Sequence, residues 1–156
     1  MIVEFKVRAN PKPWVVYVRH TARSKRASYM EAWQNEVTKA AAIAYGGSDV
    51  IKGEPVRIDT HFFLEPSSSA PKKTYDSWRE SRITERGRGN PDLDNLRKST
   101  IDALEGIVID NDCMVVEGYM TKQYVRSIDD SPYAHIFIFT GEDLPCSKLR
   151  LSEQST

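Results

Sequence analysis

Apolar and polar positions alternate from the first residues. In "IVEFKVR", Val3, Phe5 and Val7 fall on one side and Glu4, Lys6 and Arg8 on the other, which is the period of a half-buried strand. "NPKPW" ends it, since proline removes backbone donors. The period then lengthens. "SYME" at Ser28–Glu31 reads as a capping box opening a helix, and Met30, Trp33, Val37, Ala40 and Ala44 follow at helical spacing up to the glycines at 46–47. Alternation returns in "PVRIDTHFFL", with Val56, Ile58, Thr60, Phe62 and Leu64 against Arg57, Asp59, His61 and Phe63. A second helix follows Asp92, with Leu93, Leu96, Ala103 and Ile107 on one face and Gly106 at its end. "MVVEGYMTKQYV" at 114–125 reads as a strand with a bulge at Gly118, and "YAHIFIFT" at 133–140 as another. The order β-α-β-α-β-β predicts an α+β domain, a mixed sheet covered by two helices.

Composition narrows this little. A chain of 156 residues with 40% hydrophobic and 28% charged residues is long enough for one domain with its own core. No apolar run approaches the roughly 20 residues that span a membrane, and the N-terminus does not read as a signal peptide. Two cysteines, Cys113 and Cys146, make no disulfide framework, so a reduced cytoplasmic setting is expected. Cys113 reads as a small core residue.

Charge is distributed unevenly although it sums to zero. Residues 1–30 carry seven Lys/Arg against one Glu, while residues 99–156 carry four against ten Asp/Glu. A basic surface for a polyanion explains this; so does pairing of opposite ends within the fold or a dimer. The basic residues gather in "YVRHTARSKRAS", with Arg19, Arg23, Lys25 and Arg26, and in the proline-flanked connection 65–91, with Lys72, Lys73, Arg86 and Arg88. Tyr17, Tyr75 and Trp78 lie among them and could stack on exposed bases or simply pack.

The chemistry concentrates in "PDLDNLRKSTIDALEG". Asp94, Lys98 and Asp102 recur every four residues, as in a solvated ladder of ion pairs, and an aspartate before a helix is an ordinary cap. Yet one cap needs one aspartate, and here Asp92 and Asp94 both stand at the helix start. "IDND" then brings Asp110 and Asp112 just before a strand. Carboxylates without a His–Cys set suit magnesium or manganese, and such an ion with a nearby lysine serves phosphodiester hydrolysis. His20, His61 and His135 have no ligand spacing, and no phosphate-binding glycine loop is present.

"PDLDNLRKSTIDALEG…IDNDCMVV…K" resembles the RusA family of Holliday junction resolvases, whose motif runs D-x-D-N-x-x-K, a helix ending D-A-L, an acidic turn, and a strand bearing a lysine. The close match spans 91 to about 122, with a looser one over the first strand, basic loop and helix. The resemblance implies a homodimeric, magnesium-dependent endonuclease (manganese substituting) that nicks four-way or other branched DNA symmetrically in recombination and repair, in a bacterial or, for a virus, host cytoplasm. Residue by residue it implies Asp92, Asp94 and Asp112 as catalytic metal ligands, with Asp110 the competing third acid, and Lys98 as the motif lysine. Lys122 matches the strand lysine and joins Lys12, Arg19, Arg23, Lys25, Arg26, Lys72, Lys73, Arg86 and Arg88 as expected DNA contacts. Cys113–Met114 departs from the small residue and glutamine usual after the third acid. The expected layout is one nuclease domain over 1–144 and a tail at 145–156. Two other readings are a branched-DNA-binding module that does not cut, and a nuclease acting more broadly on forks and flaps.

Overall fold

The alternating stretches become neighbours in one mixed sheet in the computed structural model, which describes residues 2–15, 25–65, 91–125, 130–141 and 144. β1 (Ile2–Val7) runs antiparallel to β5 (Tyr133–Thr140), and β5 antiparallel to β2 (Val56–Leu64). On its other side β2 pairs in parallel with two short segments placed end to end, β3 (Val115–Glu117) and then β4 (Met120–Tyr124). Two helices cover the sheet: α1 (Lys25–Tyr45) packs on β1 and on α2 (Leu93–Asp102), and α2 packs on β4.

The registers show why one face is buried. Ile138 lies opposite both Val3 and Ile58, Ile136 opposite Phe5 and Thr60, and Ala134 opposite Val7 and Phe62. All are buried, so the period-two pattern of three strands converges on one apolar layer. Trp33, Val37 and Leu96 close it from the helices; burying each of these side chains contributes roughly 1.5–3 kcal/mol. The opposite face is half-exposed and aromatic. Phe63 stacks on Tyr133 at 4.2 Å, and His135 lies 4.2 Å from the Phe137 ring. The strand histidines hold local bonds there: His61 Nδ1 to Thr121 Oγ1 at 2.8 Å, and His135 Nε2 to Glu4 Oε1 at 2.7 Å. No helix of the described residues is long and apolar enough to cross a membrane.

Four sequence readings are corrected. The first helix begins at Lys25 rather than Ser28, because no breaker separates them and Ala27 adds another buried turn; Ser28 is exposed inside the helix. Its buried row continues through Ala41 and Tyr45, at four-residue steps from Val37, and Ala44 is exposed. The segment 114–125 is two strands, which adds a fifth strand to the predicted order, and it is preceded by a 3-10 turn, Asp112–Met114. Cys113, in that turn, is exposed. The connection over 66–90 and the tail at 145–156 lie outside the described residues.

The break between β3 and β4 has a definite cause. At Gly118 the backbone comes so close to β2 that a Cβ would overlap the Ile58 carbonyl oxygen. Beyond it, the Tyr119 N–H turns away from the ladder and donates to Asp59 Oδ1 at 2.8 Å, while Tyr119 O accepts from Thr60 N at 2.8 Å. Asp59 is itself gripped by Arg57, whose Nε and Nη2 donate to its two oxygens at 2.9 and 2.8 Å. Burial alone would push the Asp59 carboxyl up, but the Arg57 and Tyr119 hydrogen bonds outweigh it and hold the group below its ordinary value.

Two outcomes follow. Gly118→Ala should cost about 2–3 kcal/mol, a drop of roughly 4–12 °C in the melting temperature followed by circular dichroism. Asp59→Asn should cost about 1–3 kcal/mol at neutral pH. Because the folded carboxyl titrates below its unfolded value, its stabilisation is complete above that value and fades as pH falls through the folded one. Urea midpoints of wild type and Asp59→Asn should therefore differ at pH 7 and converge below about pH 4.

Candidate active site

The chain enters α2 extended, with Asp92 at φ −63° and ψ 139°, and its carboxylate makes no capping hydrogen bond. The N-terminal turn therefore does not consume Asp92. Asp94 sits one turn before Lys98, and both line an open cavity of about 280 Å³ between α2 and the β3–β4 edge. Asp102 and Asp112 add two carboxylates to it, Arg97 adds a second cation, and Ile101, Val115 and Met120 supply apolar wall. Asp92 and Asp94 both lie close enough to Lys122 for their charges to act on it.

Asp112 arrives there by a tight reversal. After α2, Leu104 O accepts from the N–H groups of Ile107, Val108 and Ile109, and Gly106 takes φ +73°, open to glycine without strain. Val108 and Ile109 are thereby buried, which pins the loop to the core. Glu105 Oε1 accepts the Asp112 N–H at 2.7 Å and Asn111 Oδ1 accepts that of Cys113 at 3.0 Å, so the start of the 3-10 turn is tied twice. Asp110, the competing third acid, is exposed outside this cavity, its N–H donating to Ile51 O at 3.1 Å.

The cations are held. Lys98 Nζ lies 3.7 Å from Asp102, the partner that four-residue spacing predicts, and 5.1 Å from the centre of the Trp14 ring. Trp14 is fastened to the same helix: its N–H donates to Asn95 O at 2.8 Å, and Ser99 Oγ donates to Lys12 O at 2.6 Å. Lys122 Nζ donates to Pro91 O at 2.7 Å; burial pushes its pKa down, against the pull of Asp92 and Asp94. Burial also pushes the Asp102 carboxyl up, Lys98 pulls it back, and nearby Glu105 and Asp112 add to the rise.

The donor set fits a hard cation in kind. The cavity offers carboxylate oxygens and no imidazole, the chemistry of magnesium or manganese rather than zinc. Among the described residues, no three acidic, histidine or cysteine side chains already stand as a ligand cluster. Asp92, Asp94 and Asp112 are all exposed.

Of the expected DNA contacts, Lys12 lies 5.8 Å from the Tyr29 ring centre and Arg26 is exposed at the start of α1. Lys25 opens that helix, while Arg19, Arg23, Lys72, Lys73, Arg86 and Arg88, with Tyr17, Tyr75 and Trp78, lie outside the described residues. Two residues of the site escaped sequence reading. Arg97 is three residues past Asp94, at helical spacing, and Trp14 follows the two prolines of "PKPW".

Carboxylates with fixed cations around one open cavity make a site for phosphate chemistry rather than for a thiol or hydroxyl nucleophile. The family model for endodeoxyribonuclease RusA matches residues 4–138, from β1 into β5, and so takes in the whole cavity. The chain belongs to the RusA family and is an endodeoxyribonuclease of the Holliday junction-resolving class. Among curated proteins, none matches it.

Proposed function

We propose that this protein resolves four-way DNA junctions by paired symmetric nicks, as a homodimer that uses magnesium, with manganese able to substitute. The observation that carries this reading is the joint presence of Asp94, Asp112 and Lys98 around one cavity, within the span that the RusA family model matches. Asp92, Asp94 and Asp112 would hold the ion. When bound, a divalent ion polarises the phosphate and makes water acidic enough to attack it. The chain's own groups do the rest. Lys98, steadied by Asp102 and Trp14, offers positive charge where it builds on the phosphoryl oxygens. Lys122 offsets the repulsion between Asp92 and Asp94. Lys12, Arg19, Arg23, Lys25, Arg26, Lys72, Lys73, Arg86 and Arg88 supply phosphate contacts by counterion release. A two-fold dimer presents two such sites to the two strands that must be cut.

Asp94→Asn should abolish cleavage of a labelled synthetic junction in magnesium while leaving junction binding intact. Asp112→Asn should do the same and should weaken manganese binding in calorimetry, whereas Asp110→Asn should keep both. Magnesium-dependent nicking by Asp94→Asn would remove the assignment. Comparing junction, fork, flap and linear duplex gives the substrate range, with the junction expected to be cut fastest.

A further inference from the structure

Among the described residues, little engages the Arg97 guanidinium. Its Nε is buried without a hydrogen-bond partner. Among the described residues its Nη2 reaches Glu117 O alone, at 3.5 Å, the outer edge of a hydrogen bond. Among the described residues no carboxylate lies within 4.0 Å of it, although Asp94, Asp102 and Asp112 line the same cavity. A guanidinium carries five donors, and a partly buried one left unpaired is costly unless a ligand completes it.

Its position is built into the fold. The Nη2 atom lies 2.9 Å from where a Cβ on residue 118 would stand, so the guanidinium lies against the β3–β4 break. Arg97 and Lys98 are consecutive on α2, yet both reach the cavity. Lys98 is engaged by Asp102 and Trp14, which leaves Arg97 as the cavity cation with its donors still open.

We infer that Arg97 binds a phosphodiester group of the DNA in this cavity, as a forked donor beside the carboxylates. The chemistry is specific: a planar fork matches two phosphate oxygens, and the acids of the cavity would repel a phosphate without cations beside them. The inference rests on the nuclease reading of the cavity and deepens it by naming a substrate contact.

The test compares wild type, Arg97→Lys and Arg97→Gln on a synthetic four-way junction. Binding is measured against salt concentration without divalent ions, and single-turnover cleavage is measured in magnesium. For Arg97→Gln, the slope of log affinity against log salt should shrink by about one per site. Its cleavage should fall about 100-fold. Arg97→Lys should keep the slope, since it keeps the charge, and should lose about 10-fold in cleavage because an ammonium cannot fork. Lost cleavage with an unchanged salt slope would make Arg97 a packing residue and overturn the contact, as would wild-type behaviour of Arg97→Gln. If Arg97→Gln does not melt cooperatively, Arg97→Lys decides: wild-type cleavage by it overturns the fork. If wild type itself makes no nicks but the slope still shrinks, the phosphate contact stands and the nuclease reading falls.

Discussion

The close approach of Gly118 to the Ile58 carbonyl is the constraint on which the rest of the site depends. β2 would otherwise carry one continuous parallel partner along its edge. The contact breaks that partner in two, and the break leaves the Tyr119 N–H off the ladder. A buried N–H without a partner is costly, and Asp59 removes the cost by turning its carboxylate to it. Asp59 needs Arg57 in turn, and Arg57 lies 4.7 Å from the Tyr119 ring centre and 5.2 Å from that of Phe139, which fixes its own plane. The network sits on the sheet face away from the helices, yet it sets what happens on theirs. β3 fixes the end of the turn that carries Asp112. β4 places Lys122 opposite Phe62, with its ammonium on Pro91 O beside Asp92 and Asp94.

The acids around the cavity therefore come from separate pieces of backbone, each anchored by something other than the acids. Burial of Leu96 anchors the helix that carries Asp94, and burial of Val108 and Ile109 anchors the loop that leads to Asp112. Like charges brought together this way repel: burial is the main cause that raises the Asp102 carboxyl, and Glu105 and Asp112 add to it. Lys98 and Lys122 reduce that repulsion from two sides. An exposed pair such as Lys98–Asp102 contributes only about 0.3–0.5 kcal/mol to stability, so its weight lies in fixing where a charge is rather than in holding the helix together.

Period-two alternation made β1, β2 and β5 legible because one face of each is wholly buried and the other is not. The same signal failed at 114–125, where β3 and β4 form a half-exposed edge and the break depends on a backbone contact with β2 that is remote in sequence. Gly118 still marked the place. Helix α1 was displaced by three residues because a plausible capping box lay inside a run with no breaker, and local propensity outweighed the motif. In the site, Asp92, Asp94, Lys98 and Asp112 were visible as motif letters. Arg97 was not, because an arginine on a helix is ordinary until its neighbours are known to leave it unpaired. Trp14 was invisible for a similar reason, since it meets Lys98 across 84 residues of chain.

The ladder of Asp94, Lys98 and Asp102 first looked like a single surface device, and the structure divides it. Asp102 lies on the C-terminal side of Lys98, partly buried and within 3.7 Å of it. Asp94 lies on the N-terminal side and faces the cavity with Asp112. Trp14 takes a third side of the ammonium, anchored by a backbone bond to Asn95 that no change in the lysine rotamer can disturb. A lysine held by one acid and one ring keeps its charge in a fixed place while the remaining acid stays available. Four-residue spacing alone cannot assign these parts, since it makes the two aspartates equivalent. What distinguishes them is the third dimension: Asp102 stands by the ammonium and feels Glu105 and Asp112, while Asp94 shares with Asp92 the neighbourhood of Lys122.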